Sequence, residues 1–444
     1  MQPSQSTIAN LLNTLDQPHI VHSDIAPLIA EFSKCEQVTI THLGHSFEDR
    51  PIEQLSVGSG DIKVFMWTQM HGDEATATMM VFDFLFRCVF ASEDDRFERY
   101  EEYLNTYTFD IIPMVNPDGA ERRTRHNAQG MDINRDARAQ QTVEGTILMN
   151  AVKRIRPQIA LNLHDQSPFY QTGTTGNPAT IAFLAPAYDV EKSQNRSRQL
   201  AMALVDEMTN ALEPHIPNTV ARYDDTYSVR SFGDNVAGLG AATILIESGA
   251  ARQDPNRQVA RALNLVAVER ALDTYPTLMN KKDLSEHIHR YFQIPENRAN
   301  AVSSLLIKNL RFIGSHCFQA SIAINQTTRW SNNYVIDSIG DLLNHAGLVE
   351  FDASDLTFEC GGVHDINTYT KITDTSLREW LSNGVIQFQG DNDMFENLSE
   401  HKILFNQPPV HTSCALNLQQ PAYFLMKRKD KIVAAVVNGR IIEL

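Results

Sequence analysis

Cysteine is scarce in this chain: five in 444 residues, Cys35, Cys88, Cys317, Cys360 and Cys414, odd in number, scattered and without a CxxC pair. That excludes a disulfide-dense scaffold and suits a reducing compartment. Positive charge is also in deficit, with 38 Lys and Arg against 54 Asp and Glu and a formal net charge of -16. Nucleic acid and anionic membrane are therefore not the expected partners. No run of about 18 or more apolar residues offers a membrane span. The start, MQPSQSTIANLLNTLD, lacks the basic and apolar regions of a signal peptide, so a cytoplasmic protein is expected. No repeat with a period of about 20 to 50 residues is found.

What is present is an ordinary globular composition, 42% hydrophobic and 21% charged, in a chain longer than one usual domain. QVTITHLGHS (37–46), IKVFMWTQ (62–69), TYTFDIIPMV (106–115), PQIALNLH (157–164), ATIAFLA (179–185) and AATILIES (241–248) read as strands. Helical spacing falls at 7–15, 25–32, 74–90, 143–155, 190–212 and 256–273. The alternation predicts an α/β domain over residues 1–280, a central sheet with helices on both faces. TYPTLMNKKD (274–283) is the linker candidate. The shorter segments beyond it predict a smaller β-rich α+β domain over 284–444, closing with a hairpin around Lys429 to Lys431 and a turn at Asn438-Gly439.

MHGDEATATMM (70–80) places His71 and Glu74 three residues apart, directly after a strand-like run. They fall at a strand-to-helix junction, where α/β sites collect. A histidine and a carboxylate so placed can hold one metal ion. Zinc accepts both ligand types, and a hydrolytic site needs a third protein ligand plus an open position for water. His164 is the candidate, because it follows QIALNL and ends a strand of the same sheet. Taken singly, each residue has a plainer reading, chance spacing for the pair and a satisfied strand-end histidine for His164. GSG (58–60) and GLG (238–240) read as turns, Met79-Met80 and DFLF as core. His345, Asp352, Asp355, His364 and Asp365 show no zinc spacing.

The sequence resembles the zinc carboxypeptidases of the pancreatic and bacterial type. The resemblance runs through HxxE at His71 and Glu74, NPDG at 116–119, RxNxxGxDxNR from Arg125 to Arg135, strand-end His164, and ILIESG carrying Glu247. These motifs keep the family's order and rough spacing over about residues 60–275. The resemblance implies that the central α/β sheet is mixed, and that one zinc ion per chain sits on His71, Glu74 and His164. It makes Glu247 the general base, and Arg125 the cation that stabilises the oxyanion, with Arg122 and Arg123 close by in sequence. Asn134 and Arg135 would clamp the substrate's terminal carboxylate, for which the planar fork of Arg is suited. The family also places a mobile tyrosine about twenty residues before the base, here Tyr227 in preference to Tyr223. The surrounding RYDDTYSVRSFGDN mixes charges and does not name the bound side chain.

The implied activity is zinc-dependent hydrolysis of a C-terminal peptide or peptide-like amide bond, on a peptide or acyl-amino-acid substrate with a free carboxylate. The HGDE form also resembles the aspartoacylase and succinylglutamate desuccinylase relatives. A zinc-dependent amidase or N-acyl-amino-acid deacylase is thus the alternative within hydrolases. A non-catalytic binding protein on the same fold is the alternative of another class.

Overall fold

A computed structural model describes residues 9, 12–90, 97–327, 331–408, 410 and 415–444. Part of the helix expected at 7–15, and Cys414, fall outside the described residues. The chain forms two compact units, Met1–Arg298 and Ala299–Leu444.

In chain order the first unit contains helix α1 (His22–Phe32), strands β1 (Val38–His45), β2 (Pro51–Val57) and β3 (Ile62–Trp67), helices α2 (Thr76–Phe90) and α3 (Phe97–Thr106), and strand β4 (Tyr107–Ile112). There follow α4 (Pro117–Arg122), α5 (Val143–Ile155), β5 (Ile159–Asp165), β6 (Gln171–Thr172), β7 (Ile181–Leu184), α6 (Arg196–Leu212) and β8 (Val220–Arg222). The unit closes with α7 (Phe232–Gly238), β9 (Ala242–Ser248), α8 (Gln258–Asn280), α9 (Ser285–Gln293) and β10 (Asn297–Arg298).

Its sheet runs β1-β2-β4-β3-β5-β9-β7-β8. The central strands β4, β3, β5 and β9 are parallel. β2 joins β4 antiparallel on one side and β7 joins β9 antiparallel on the other, so the sheet is mixed, as the resemblance implies. Every residue of β5 is buried, which a central parallel strand covered on both faces requires. Val64, Met66, Leu161, Leu163, Ile244 and Ile246 share one core with residues of α2, α6 and α8. On the opposite face Phe65, Trp67 and Ala160 pack with Leu148 and Val152 of α5 and Phe232 and Val236 of α7.

Two elements escape the sequence rules for physical reasons. PIEQLSV forms β2 although Gln54 and Ser56 are polar, because both donate to Asp110 Oδ1 of β4 at 2.6 Å. The linker candidate at 274–283 largely continues α8, which carries Pro276 inside it and ends at Asn280. The first unit therefore extends to Arg298, beyond the 280–284 boundary expected from sequence. α9 is tied to α6 by Arg290 and His287, which meet Asp206 at 2.6 and 2.7 Å, and β10 pairs with β6. Asp206, Glu207 and His287 come close enough to hold an ion. Arg290 and Arg270 already neutralise the two carboxylates, so the group reads as a helix clasp.

The second unit is β-rich. One sheet gathers β11 (Val302–Ile313), β12 (Cys317–Gln326), β13 (Tyr334–Gly340), β14 (Ala346–Asp352) and β15 (Thr357–Glu359) with the closing strands β21 (Tyr423–Arg428), β22 (Lys431–Val437) and β23 (Arg440–Glu443). Between them, β16 (Gly362–Ile366) pairs parallel with β18 (Val385–Gly390) and β18 with β20 (Leu404–Phe405), β17 (Thr370–Ile372) pairs parallel with β19 (Phe395–Asn397), and α10 (Asp374–Ser382) packs nearby. The β21-β22 turn has Lys429 at φ 56, and the next turn has Asn438 and Gly439 at φ 48 and 73, the Asn-Gly pattern of a tight hairpin. Cys35, Cys88 and Cys317 are free, but Cys360 is disulfide-bonded, so the reading of reduced thiols throughout does not hold there. Among the described residues no helix is long and apolar enough to cross a membrane.

Glu269 of α8 receives Arg87 of α2 at 2.8 Å, Arg99 of α3 at 2.9 Å, and the Tyr100 hydroxyl. Replacing Glu269 with Ala removes the shared acceptor of three donors. The expected loss is about 3 kcal/mol, seen as a lower urea midpoint, with metal stoichiometry unchanged.

Candidate active site

β3, β5 and β9 are neighbours and parallel, so their C-terminal ends open onto the same edge of the sheet. In the β5-β9 ladder His164 stands directly opposite Glu247. The chain leaving β3 turns sharply to bring His71 and Glu74 to the same place. Gln69 adopts a left-handed backbone at φ 47 there. Its carboxamide holds the turn, donating to Ile20 and Gly72 carbonyls at 2.7 and 2.9 Å and accepting from the Thr78 hydroxyl at 2.7 Å.

NPDG begins helix α4. Asn116 caps it by accepting from Gly119 N–H at 2.9 Å, and Pro117 fills the first helical position. Asp118 is fully buried and accepts from Ser46, the Glu48 amide and Arg50. This helix start packs against Gly72, within the His-Gly-Asp-Glu run. In the following loop Asn127 accepts from the Gln129 and Met131 amides, each at 3.0 Å, and Gly130 turns at φ 74. Most of the motif letters thus shape backbone.

The result is a buried cluster. Glu74 Oε1 lies 2.8 Å from His71 Nδ1, and Oε2 lies 2.7 Å from His164 Nδ1. The two Nδ1 atoms are 3.1 Å apart. His71 Nε2 meets Asp132 Oδ1 at 3.1 Å, which favours the proton on Nε2 and turns the Nδ1 lone pair inward. Two ring nitrogens and a carboxylate so converged hold more acceptor lone pairs than protons, the donor set a divalent cation satisfies. His164 Nε2 is buried without a protein partner among the described residues. His71, Glu74 and His164 therefore fit a metal ion, and zinc suits these ligand types.

The charges in the cluster depend on one another. Burial opposes charge on His71, yet Glu74 and Asp132 overcome it and raise its pKa to about 9. Burial likewise opposes ionisation of Glu74, but the two imidazoles hold its carboxyl well below the usual range. For His164 burial prevails and lowers the pKa. Glu247 is pushed up to about 8, first by withdrawal from water and then by the Glu74 charge. It is less buried than the three clustered residues, which puts it at the open side.

Arg125 reaches the cluster, its Nη1 3.2 Å from His71 Nδ1 and 3.6 Å from Glu74 Oε1, while Nε donates to Asp132 at 3.0 Å. Arg122 is paired instead with Glu48, and Arg123 is the left-handed cap of α4. Asn134 and Arg135 lie in a short 3-10 turn, Ile133–Arg135, capped by Asp132. Asn134 Oδ1 accepts from Phe232 N–H at 2.9 Å, and exposed Arg135 donates to Ser231 Oγ at 3.3 Å. Tyr223 packs 6.1 Å, ring to ring, from Tyr170. Burial and the Glu247 charge raise the Tyr223 pKa. Among the described residues no hydrogen bond or ring contact links Tyr227, the tyrosine preferred from sequence, to the cluster, whereas Tyr223 lies close enough to Glu247 to feel its charge. Asp132, which sequence reasoning used only as a motif letter, is the residue it missed; an acid seven residues after Arg125 has no spacing signal of its own.

Comparison with known proteins gives one family match: residues 29–147 match the family model described as zinc carboxypeptidase. That segment carries His71, Glu74, Arg125, Asn134 and Arg135, and it agrees with the resemblance read from the motifs. No curated protein matches the chain. Solved structures similar to it include a metallo-carboxypeptidase from Burkholderia cenocepacia, at 17% identity and TM-score 0.49, covering 59% of this chain and 70% of that one. The carboxypeptidase A from Helicoverpa armigera is similar at 16% identity and TM-score 0.47, covering 60% and 74%. A metallo-carboxypeptidase from Pseudomonas aeruginosa, in complex with (2-guanidinoethylmercapto)succinic acid, is similar at 20% and 0.46, covering 59% and 71%.

The packing of Gly72 yields a sharp expectation. A Cβ at that position would lie 2.0 Å from the Gly119 carbonyl carbon and 2.1 Å from Ala120 N. Gly72→Ala should cost roughly 3 kcal/mol or more and weaken metal binding, as read by thermal unfolding and chelator competition. Native stability in that variant would show that the close approach does not constrain the loop.

Proposed function

We propose that this protein is a zinc-dependent carboxypeptidase that hydrolyses the C-terminal amide bond of a peptide or peptide-like substrate. The reading is carried by the convergence of the coordinating atoms of His71, Glu74 and His164, all within 4.8 Å of one another, with Glu247 in register beside His164. The zinc carboxypeptidase match over residues 29–147 supports it.

His71, Glu74 and His164 would hold the zinc ion, and Asp132 keeps the His71 ring oriented. A zinc ion so held supplies Lewis acidity and makes a water molecule more acidic. Glu247 takes the proton from the attacking water and delivers it to the leaving amine, a task that favours a carboxylate whose pKa lies near neutrality. Arg125 stabilises the negative charge that develops on the carbonyl oxygen, and Asp132 aims its guanidinium. Arg135 and the amide nitrogen of Asn134 receive the substrate's terminal carboxylate; with its oxygen already bound to Phe232 N–H, Asn134 presents donors. Tyr223 lines the site near Glu247.

Glu247→Gln should retain zinc at the wild-type stoichiometry and lose roughly 10²- to 10⁴-fold in kcat. Wild-type turnover in that variant removes Glu247 from the mechanism. Across a panel of peptides, C-terminal amidation should reduce kcat/KM by about 10- to 100-fold, the worth of a charged hydrogen-bonded contact. Equal cleavage of amidated peptides counts against Arg135 as the clamp, and turnover confined to N-acyl amino acids replaces the peptidase reading with a deacylase.

A further inference from the structure

Arg257 has no part in the chemistry above, yet its guanidinium touches the backbone or side chain next to the site at several points. Nη1 donates to the Ser248 carbonyl at 2.6 Å, one residue after Glu247. Nη2 donates to the Gln166 carbonyl at 2.9 Å, two residues after His164. Nη1 also lies 3.6 Å from Oδ2 of Asp165, the residue adjoining His164. That same carboxylate oxygen accepts from the Thr76 hydroxyl at 2.9 Å and the Thr76 amide at 3.3 Å, two residues after Glu74.

Arg257 thus braces the points where β5 and β9 end and α2 begins, beyond the reach of most of the sheet ladder. The last backbone bond there runs from Gln166 N–H to the Ser248 carbonyl, at 2.9 Å, and Arg257 shares that acceptor. Arg257 is itself held at φ 56 and ψ 31 at the head of α8, an uncommon backbone for a side chain of its size. Asp254 fixes it there by accepting from the Gln258 and Val259 amides at 2.9 and 2.7 Å. A strained residue retained at such a spot points to a local demand.

We propose that Arg257 is a positioning residue, which through two carbonyls and Asp165 sets the relative placement of Glu74, His164 and Glu247. The inference rests on the carboxypeptidase reading only for the identity of the reaction served. Its geometry needs the planar, five-donor fork of Arg, which an ammonium cannot copy.

The test loads full-length wild type, R257K and R257A with cobalt(II) in place of zinc. Both variants should bind cobalt about 10- to 100-fold more weakly, the usual effect of losing a residue that orients metal ligands. Their visible absorption bands should shift, and kcat should fall with KM within about twofold of wild type. Added guanidinium ion at millimolar concentration should restore the band and part of kcat to R257A. If R257A does not fold, R257K carries the comparison. A lower Tm with unchanged cobalt spectrum, cobalt affinity and kcat in the folded variants overturns the proposal. Wild type that binds cobalt but cleaves no peptide overturns the carboxypeptidase reading and leaves the cobalt comparison to decide on Arg257.

Discussion

Parallel backbone pairing of β3, β5 and β9 is the constraint on which the site depends. It fixes the register of the three strands, with Trp67 beside Asn162 and His164 opposite Glu247. The strands are held by apolar packing on both faces, so their ends form a rigid rim where polar groups can converge. Bringing two imidazoles and a carboxylate together in such a place is costly unless each finds a partner. Here Glu74 serves both rings, and Asp132 serves His71 and Arg125.

Around this rim the motif residues divide by task. Asn116, Asp118, Asn127 and the glycines at 72 and 119 shape the loops, through caps, buried carboxylate contacts and close backbone approach. His71, Glu74, Arg125 and Arg135 project from the loops so formed. The division explains why the spacing of the motif extends over residues that never face the cluster. An altered loop backbone would move the projecting groups by more than the fraction of an ångström that a metal or transition-state contact tolerates.

The second unit builds its own cores. Leu305, Ile307, Ile322, Phe424 and Val436 share one, and Ile372, Leu377, Phe388 and Leu425 share another. In the second unit His345, a bland feature of the sequence, is bonded to the buried Ser303 hydroxyl at 2.7 Å, a contact that satisfies both groups.

The alternation of strands and helices, and the strand-end positions of His71, His164 and Glu247, were legible in the sequence because apolar periodicity reports burial and a strand's last residue is countable. The helices at 143–155 and 25–32 were read from the same signal. β2 was hidden because its polar residues are satisfied by Asp110 on a strand distant in sequence. The run past Pro276 was hidden because tertiary packing carries α8 through residues with linker composition. Which arginine reaches the cluster, which tyrosine stands near Glu247, and that Asp132 and Arg257 brace the site were decided only by the fold. Those are distances between segments far apart along the chain, and local periodicity carries no record of them.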